Sequence, residues 1–250
     1  MMASAFNQCG RDAAQGLETG KATMSGLFEI TSDPAVAADE TSTATTARER
    51  RYAGLSAAQR RADRRARLLT AGRDLFGGVG YAATSIERLC LEAGVTTRHF
   101  YEEFSGREAL LLAVYDEVLT TTEQAVGDAL AAARPGLGRV RAGVEAYVRA
   151  MTANAGLVRI AYIETVGVSP AFEQHRRDAL DAFARTAVGV AEELAAAGEI
   201  PRRDYDLMVR AMAGAINELL VEWDQRPAPP SVERIVDELG RLYVAGLTAP

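Results

Sequence analysis

The chain is poor in the residues that most chemistry requires. Its 250 residues include two histidines, His99 and His175, two cysteines, Cys9 and Cys90, and a single tryptophan, Trp223. Two cysteines in separate regions offer neither a disulfide framework nor a thiolate metal site. Two distant histidines are too few for a typical zinc site, and Glu173 and His175, two apart, do not share a helix face. No metal and no cofactor are expected. There is no phosphate-binding loop, and no serine or cysteine stands in a nucleophile elbow. Gly78-Val79-Gly80-Tyr81-Ala82-Ala83 fits the letters of the dinucleotide pattern, but it follows a helical pattern rather than a strand, with no βαβ unit around it. An enzyme is not expected, and no catalytic residue is assigned. The sequence also lacks an apolar run that would span a bilayer and a secretory signal pattern, so a cytoplasmic protein with no membrane partner is expected. Lysine is nearly absent: of 28 basic residues 27 are arginine and one is Lys21, a skew of the kind a GC-rich bacterial genome imposes.

What is present is helical periodicity. No segment alternates as a strand does, and no internal repeat is visible. Residues 1–50 are rich in Ala, Thr and Ser without a sustained period and read as a disordered tail with a basic end at Arg48–Arg51. Met24 is a second possible start. Residues 51–104 read as a first domain and 105–250 as a second, all-α throughout. Ser56-Ala57-Ala58-Gln59 is a capping box opening a helix with the inner stripe Leu68, Ala71, Leu75 and Phe76, expected to stop near Gly77-Gly78. Thr84 and Glu87 fit a second box, Ser105 and Glu108 a third. Further stripes run through Leu137–Met151, Leu157–Val166, Phe172–Leu194 and Leu207–Trp223. Ser169-Pro170 places a cap before proline, and Ser231 caps a last helix carrying Ile235, Leu239, Leu242 and Tyr243.

Two short segments around a glycine carry the most information. Ile86, Leu89, Cys90 and Ala93 have the i, i+3, i+4, i+7 spacing of one helix face. Gly94 stands where a helix ends in a left-handed residue. Thr96 then caps a second short helix with Phe100 and Phe104 inside. Two short helices across a tight turn are the form of a helix-turn-helix, whose second helix enters the DNA major groove. The net charge of −6 is distributed to match: residues 48–73 hold nine arginines against Glu49 and Asp63, while residues 109–250 are net acidic. A basic block beside such a motif is the footprint of phosphate binding.

With these residues on the page, the chain resembles the tetracycline-repressor (TetR) family. The matching pattern is Leu75-Phe76, Gly80-Tyr81-x-x-Thr84-Ser85-Ile86, Ala93-Gly94-Val95-Thr96, Phe100-Tyr101-x-x-Phe104 and Arg107-Glu108-x-Leu110, within Ser56 to Leu119. Candidate DNA contacts are Arg60, Arg61 and Arg64 in the basic block, Thr84 and Ser85 at a helix start, and Thr96, Thr97, Arg98 and His99 on the recognition helix. Arginine can bind guanine bidentately and threonine can meet a thymine methyl. The resemblance implies that Tyr101 and Arg107 hold phosphate, Arg107 at a helix N-terminus and in a place where the family usually carries lysine. Glu102 and Glu103 depart from the family pattern and either point away from DNA or accept a hydrogen bond from cytosine.

The resemblance further implies an effector-binding, dimerising C-terminal domain. Aromatics and isolated polar groups on apolar helices make Tyr147, Met151, Tyr162, Glu164, Phe172, Phe183, Asn217 and Trp223 the candidate pocket. Met208, Ala211, Met212, Ala215, Leu219, Leu239, Leu242 and Tyr243 are the candidate dimer interface; each of these residues serves equally as ordinary core. The expected partners are a double-stranded DNA operator, a second copy of the chain, and a small-molecule effector whose identity the sequence does not give. The expected function is a sequence-specific regulator, a repressor released by its effector. Two other readings stay open: an architectural DNA-organising protein of the same fold, which a tightly packed second domain without a cavity would favour, and a protein-interaction module without DNA binding, at which Glu102 and Glu103 hint.

Overall fold

The computed structural model describes residues 56–250; the tail and the basic arm at Arg48–Arg51 lie outside them. Every regular element among the described residues is helical. α1 spans Ala57–Gly78, α2 Ile86–Ala93, α3 Thr97–Glu103, α4 Arg107–Ala132, α5 Leu137–Thr152, α6 Leu157–Arg159, α7 Pro170–Ala196, α8 Asp206–Gln225 and α9 Val232–Thr248. α6 continues without a break into a wider π turn, Ile160–Glu164. No helix among the described residues is long and apolar enough to cross a membrane.

Local chemistry sets most of the boundaries. The Ser56 hydroxyl accepts from the Gln59 amide and the Gln59 side chain accepts from the Ser56 amide, so the first capping box forms as the sequence predicts. The other two boxes do not. At α2 the cap is Ser85, whose hydroxyl accepts from the Arg88 amide. Thr84 is buried and its hydroxyl donates to the Gly80 carbonyl at 2.7 Å. At α4 the cap is Gly106 with no side-chain bond, and Glu108 instead accepts from the Ser169 hydroxyl across the molecule. Gly94 closes α2 at φ +59°, a conformation that costs glycine little. Ser169 caps α7 with Pro170 at the first position.

α1 packs on α2, α3 and α4 around Leu68, Phe76, Leu89, Phe100 and Leu110, all fully buried. α4 and α5 form an antiparallel hairpin, α9 lies against α5, and α7 lies against α8. The end of α1 also rests on α6 and the π turn. There the chains approach closely: a Cβ on Gly156 would sit 2.6 Å from the Gly77 Cα, and Gly156 itself has φ +87°. Only a residue without a side chain fits that crossing.

Candidate nucleic-acid interface and the cavity behind it

α3 turns one face inward through Phe100 and presents the other to solvent. Thr96, Thr97, Arg98 and Tyr101 are exposed and His99 is half-buried. The Thr96 hydroxyl accepts from the His99 amide and also meets His99 Nδ1 at 3.1 Å, which fixes the imidazole at the helix start. The Arg98 side chain is 88% exposed, with only Glu102 beside it at 3.4 Å. Ser85 lies exposed at the neighbouring helix start. Thr84 does not join this face. Its burial removes it as a side-chain phosphate contact, because its hydroxyl is spent holding the α1–α2 loop.

The arginines of α1 divide their work. Arg61 donates to Glu103 at 3.1 Å and to the Glu102 carbonyl, Arg65 donates to the Glu103 carbonyl, and Arg67 donates to the carbonyls of Ala93 and Gly94. Arg64 lies 3.6 Å from Glu103 and 3.8 Å from Glu102. These side chains bind the open carbonyl ends of α2 and α3, where a cation is favoured by the helix dipole. Glu103, whose side chain is 2% exposed, is the counter-charge of that cluster. The sequence departure at Glu102 and Glu103 thus has a structural cause. Arg61 and Arg64, expected on phosphate, are engaged within the domain, and Arg61 keeps an exposed flank.

Arg107 is likewise turned inward. Its guanidinium donates to the carbonyls of Tyr81 at 3.2 Å and Thr84 at 2.5 Å, and lies 4.8 Å from the centre of the Tyr81 ring. Burial pushes the Tyr81 hydroxyl's pKa up, against the opposing charge of Arg107. The same loop is gripped from the other side. Glu164 accepts from the Tyr81 amide at 2.6 Å and from Arg159 at 2.7 Å, while Arg159 donates to the Gly78 carbonyl. Glu164, expected in a ligand pocket, instead ties the π turn to the DNA-binding helices. Sequence reasoning missed this because Tyr81 and Glu164 are 83 residues apart and their bond uses a backbone amide, which leaves no mark in the side-chain pattern.

The helices behind leave two largely apolar cavities, open at their mouths, with volumes of about 70 Å³ and 50 Å³. The one nearer the DNA-binding helices is lined by Tyr147, Met151, Tyr162, Phe183 and Asn217 among others. Phe172 and Trp223 line neither cavity. Phe172 is buried against Tyr115, and Trp223 donates to the Pro230 carbonyl. Burial raises the pKa of Tyr115 to about 12 and pushes those of Tyr147, Tyr162 and Tyr243 upward, so all four stay neutral hydroxyls near pH 7. The hydroxyls of Tyr147 and Tyr162 hydrogen-bond to each other.

The predicted dimer residues separate into two groups. Leu239 is fully buried and Tyr243 nearly so, inside one chain, because α9 packs on α5. Met208 and Met212 are half-buried against the core. Ala211 and Leu219 on α8 and Leu242 on α9 face outward, Ala215 is half-exposed, and Leu207 is 81% exposed beside them.

Residues 68–114 match the family model of bacterial regulatory proteins of the tetR family. No curated protein matches the chain. Among solved structures, the fatty acid degradation regulator FadR from Bacillus halodurans aligns with a TM-score of 0.68 at 15% identity, over 75% of this chain and 97% of that one. The transcriptional regulator FadR from Bacillus subtilis, in complex with stearoyl-CoA, gives 0.67 at 16% identity, over 72% and 97%. A regulatory protein of the tetR family from Rhodococcus gives 0.62 at 21% identity, over 75% and 98%. These likenesses extend the shared fold through the C-terminal helices. The motif match and the fold agree with the geometry of α1 to α3: residues 68–114 match the tetR-family helix-turn-helix segment, and the helices that follow share the all-α fold of these regulators.

Proposed function

We propose that the protein is a homodimeric, sequence-specific transcriptional repressor, released from its operator when a small molecule enters the cavity behind the DNA-binding helices. One observation carries the release step. The π turn Ile160–Glu164 lines the cavity with Ala161 and Tyr162 and, two residues on, holds the Tyr81 amide through Glu164. A ligand that shifts Tyr162 therefore shifts the loop that orients α2 and α3. Such a ligand binds one arrangement of the DNA-binding helices better than the other and moves the population accordingly. π turns within helices are frequent at functional sites.

DNA binding as a dimer requires two recognition helices about 34–36 Å apart on successive major grooves. The outward residues Leu207, Ala211, Leu219 and Leu242 supply an apolar surface for a second copy. Thr96, Thr97, Arg98, His99 and Tyr101 are the proposed DNA contacts, with Ser85, Arg60 and the exposed flank of Arg61 on phosphate. The cavities favour this reading over an architectural protein with a closed bundle, and the arginine pairing of Glu102 and Glu103 takes away the hint of a pure interaction module.

The test is binding of the full chain to DNA flanking its own gene, against random DNA, over a salt series. Preference for the flanking DNA with dimer stoichiometry and a steep salt slope supports the reading. Equal, weak binding to flanking DNA and to fragments selected genome-wide sinks sequence specificity. A ligand that enters the cavity and leaves DNA affinity unchanged sinks the release step.

A further inference from the structure

The two cavities lie end to end. Along α4 the wall of the first runs from Tyr115 to Glu123 and that of the second from Val126 to Leu130, and both share Tyr147, Phe183 and Ile216. From Tyr115 to Leu130 the helix rises roughly 22 Å. The Tyr147 and Phe183 rings, with centres 4.9 Å apart, stand between the two spaces. Polar groups are unevenly placed. The far space is walled by Leu130, Val190 and Leu247. Glu123 and Asn217 line the near space, and neither has a hydrogen-bond or ion-pair partner among the described residues.

The charge on these walls is of one sign. No arginine, lysine or histidine lines either cavity, and Glu123 is the charged residue that does. Arg176, whose charge reaches the Tyr115 hydroxyl, is held by Glu173 at 2.6 Å. A carboxylate or phosphate at the mouth of the near space would meet the like charge of Glu123 and no counter-charge on either wall. An ammonium group meets two unpartnered acceptors, the Glu123 carboxylate and the Asn217 carbonyl oxygen.

Resting on the reading of an effector-released regulator, we propose that the joined cavities take one long apolar molecule ending in an amine, its chain in the far space and its ammonium group at Glu123 and Asn217. The chain must part Tyr147 from Phe183 to pass, and Tyr147 holds the Tyr162 hydroxyl, so entry acts on the π turn. This ligand chemistry is opposite in charge to the acyl thioester bound by the Bacillus subtilis neighbour.

Calorimetric titration of the full chain with decylamine, decanol, decanoate and stearoyl-CoA, each below its micelle concentration, tests the assignment. Decylamine should bind at least tenfold tighter than decanoate, and affinity should rise from butylamine to decylamine as the far space fills. Glu123→Gln should remove most of the advantage of decylamine over decanol without lowering the melting temperature, since Glu123 is exposed and unpaired. Decanoate or stearoyl-CoA binding as tightly as decylamine, no dependence on chain length, an unchanged amine preference in E123Q, or no binding of any alkyl chain overturns it. Operator release is read separately. Decylamine that binds without release removes the proposed release step and leaves the ligand assignment standing; release by stearoyl-CoA does the reverse.

Discussion

The DNA-binding helices and the bundle behind them are held together by different means. α2 and α3 are short, and arginines around them bond to backbone carbonyls: Arg61, Arg65 and Arg67 on α1 and Arg107 at the start of α4 all end on main-chain oxygens. α4, α5, α7, α8 and α9 meet mainly through apolar contact, with ion pairs such as Arg139–Glu193 and Arg210–Asp181 at their edges, and leave space inside it. A charged hydrogen bond to a carbonyl has a fixed direction, whereas an apolar contact can slide at little cost. The first region is therefore built to keep a shape, the second to accept a change. The joint between them combines both: a glycine crossing with no room to spare, and the Glu164–Tyr81 bond.

The largest expected effect is at that joint. Gly156→Val places a β-branched side chain at φ +87° and within 3 Å of the Gly77 backbone. Neither backbone can yield without moving a helix, so a loss of at least ~3 kcal/mol is expected. Thermal unfolding of the variant would show it, and an unchanged melting temperature would mean that α1 and α6 are not rigidly apposed.

Next in size is the alkaline limb of stability, where the bundle's buried Tyr115 adds to the raised Tyr81 of the first region. Burial raises the Tyr115 pKa from 10.0 to about 12. A raised pKa contributes stability that is fully present below the unfolded value and is lost as pH rises through the folded one. Between pH 10 and about 12 the fold should lose up to about 3 kcal/mol from this group. Tyrosinate absorbance should then rise with unfolding, and Tyr115→Phe should flatten the limb. Ionisation of Tyr115 at its ordinary pH in the intact fold would show that the bundle admits water freely.

The arginine cluster comes third. Glu103→Ala removes a nearly buried carboxylate and leaves Arg64 half-buried without it. Because Arg61 is well exposed, the cost is discounted to about 1–2 kcal/mol. The variant should also bind random DNA more tightly at low salt, with a steeper salt slope, since Arg61 is released toward phosphate. A stable variant with an unaltered slope would mean that the cluster neither braces α3 nor withholds charge from DNA.

The sequence made some of this difference visible and hid the rest. Helix existence, the Gly94 turn and the Ser56, Thr96, Ser169 and Ser231 caps follow from residue type and spacing within a few positions. Among the site residues, exposure of Thr96, Thr97, Arg98 and Tyr101 follows from the same periodicity that puts Phe100 inside. What escaped is the destination of long polar side chains. Arg107 and Glu164 each reach a backbone group far away in sequence, and two capping boxes that fit by letter gave way to Ser85 and Gly106 as caps, with Thr84 bonded to Gly80 and Glu108 to Ser169 instead. Tyr147, Tyr162 and Asn217 came to a cavity, whereas Trp223 and Phe172 found other partners, because helix rotation decides the matter and side-chain spacing does not fix it to within one residue.

The smallest effect in stability separates two kinds of arginine within the first region. Arg98 shares α3 with Glu102 and Glu103, yet its side chain is 88% exposed and does not reach a carbonyl as Arg61, Arg65 and Arg67 do. Arg98→Ala should leave the unfolding free energy within about 0.5 kcal/mol of the parent, as surface substitutions do. On DNA its effect should be confined to the preferred site: a base-reading arginine contributes about 1–3 kcal/mol of discrimination and little to random sequence. Glu102→Gln should act in the opposite sense, because the carboxylate at 3.4 Å competes with guanine for the same guanidinium. Equal weakening of Arg98→Ala on preferred and random DNA would assign this residue to the phosphate backbone, and sequence reading would then fall to Thr96, Thr97 and His99 at the start of the helix.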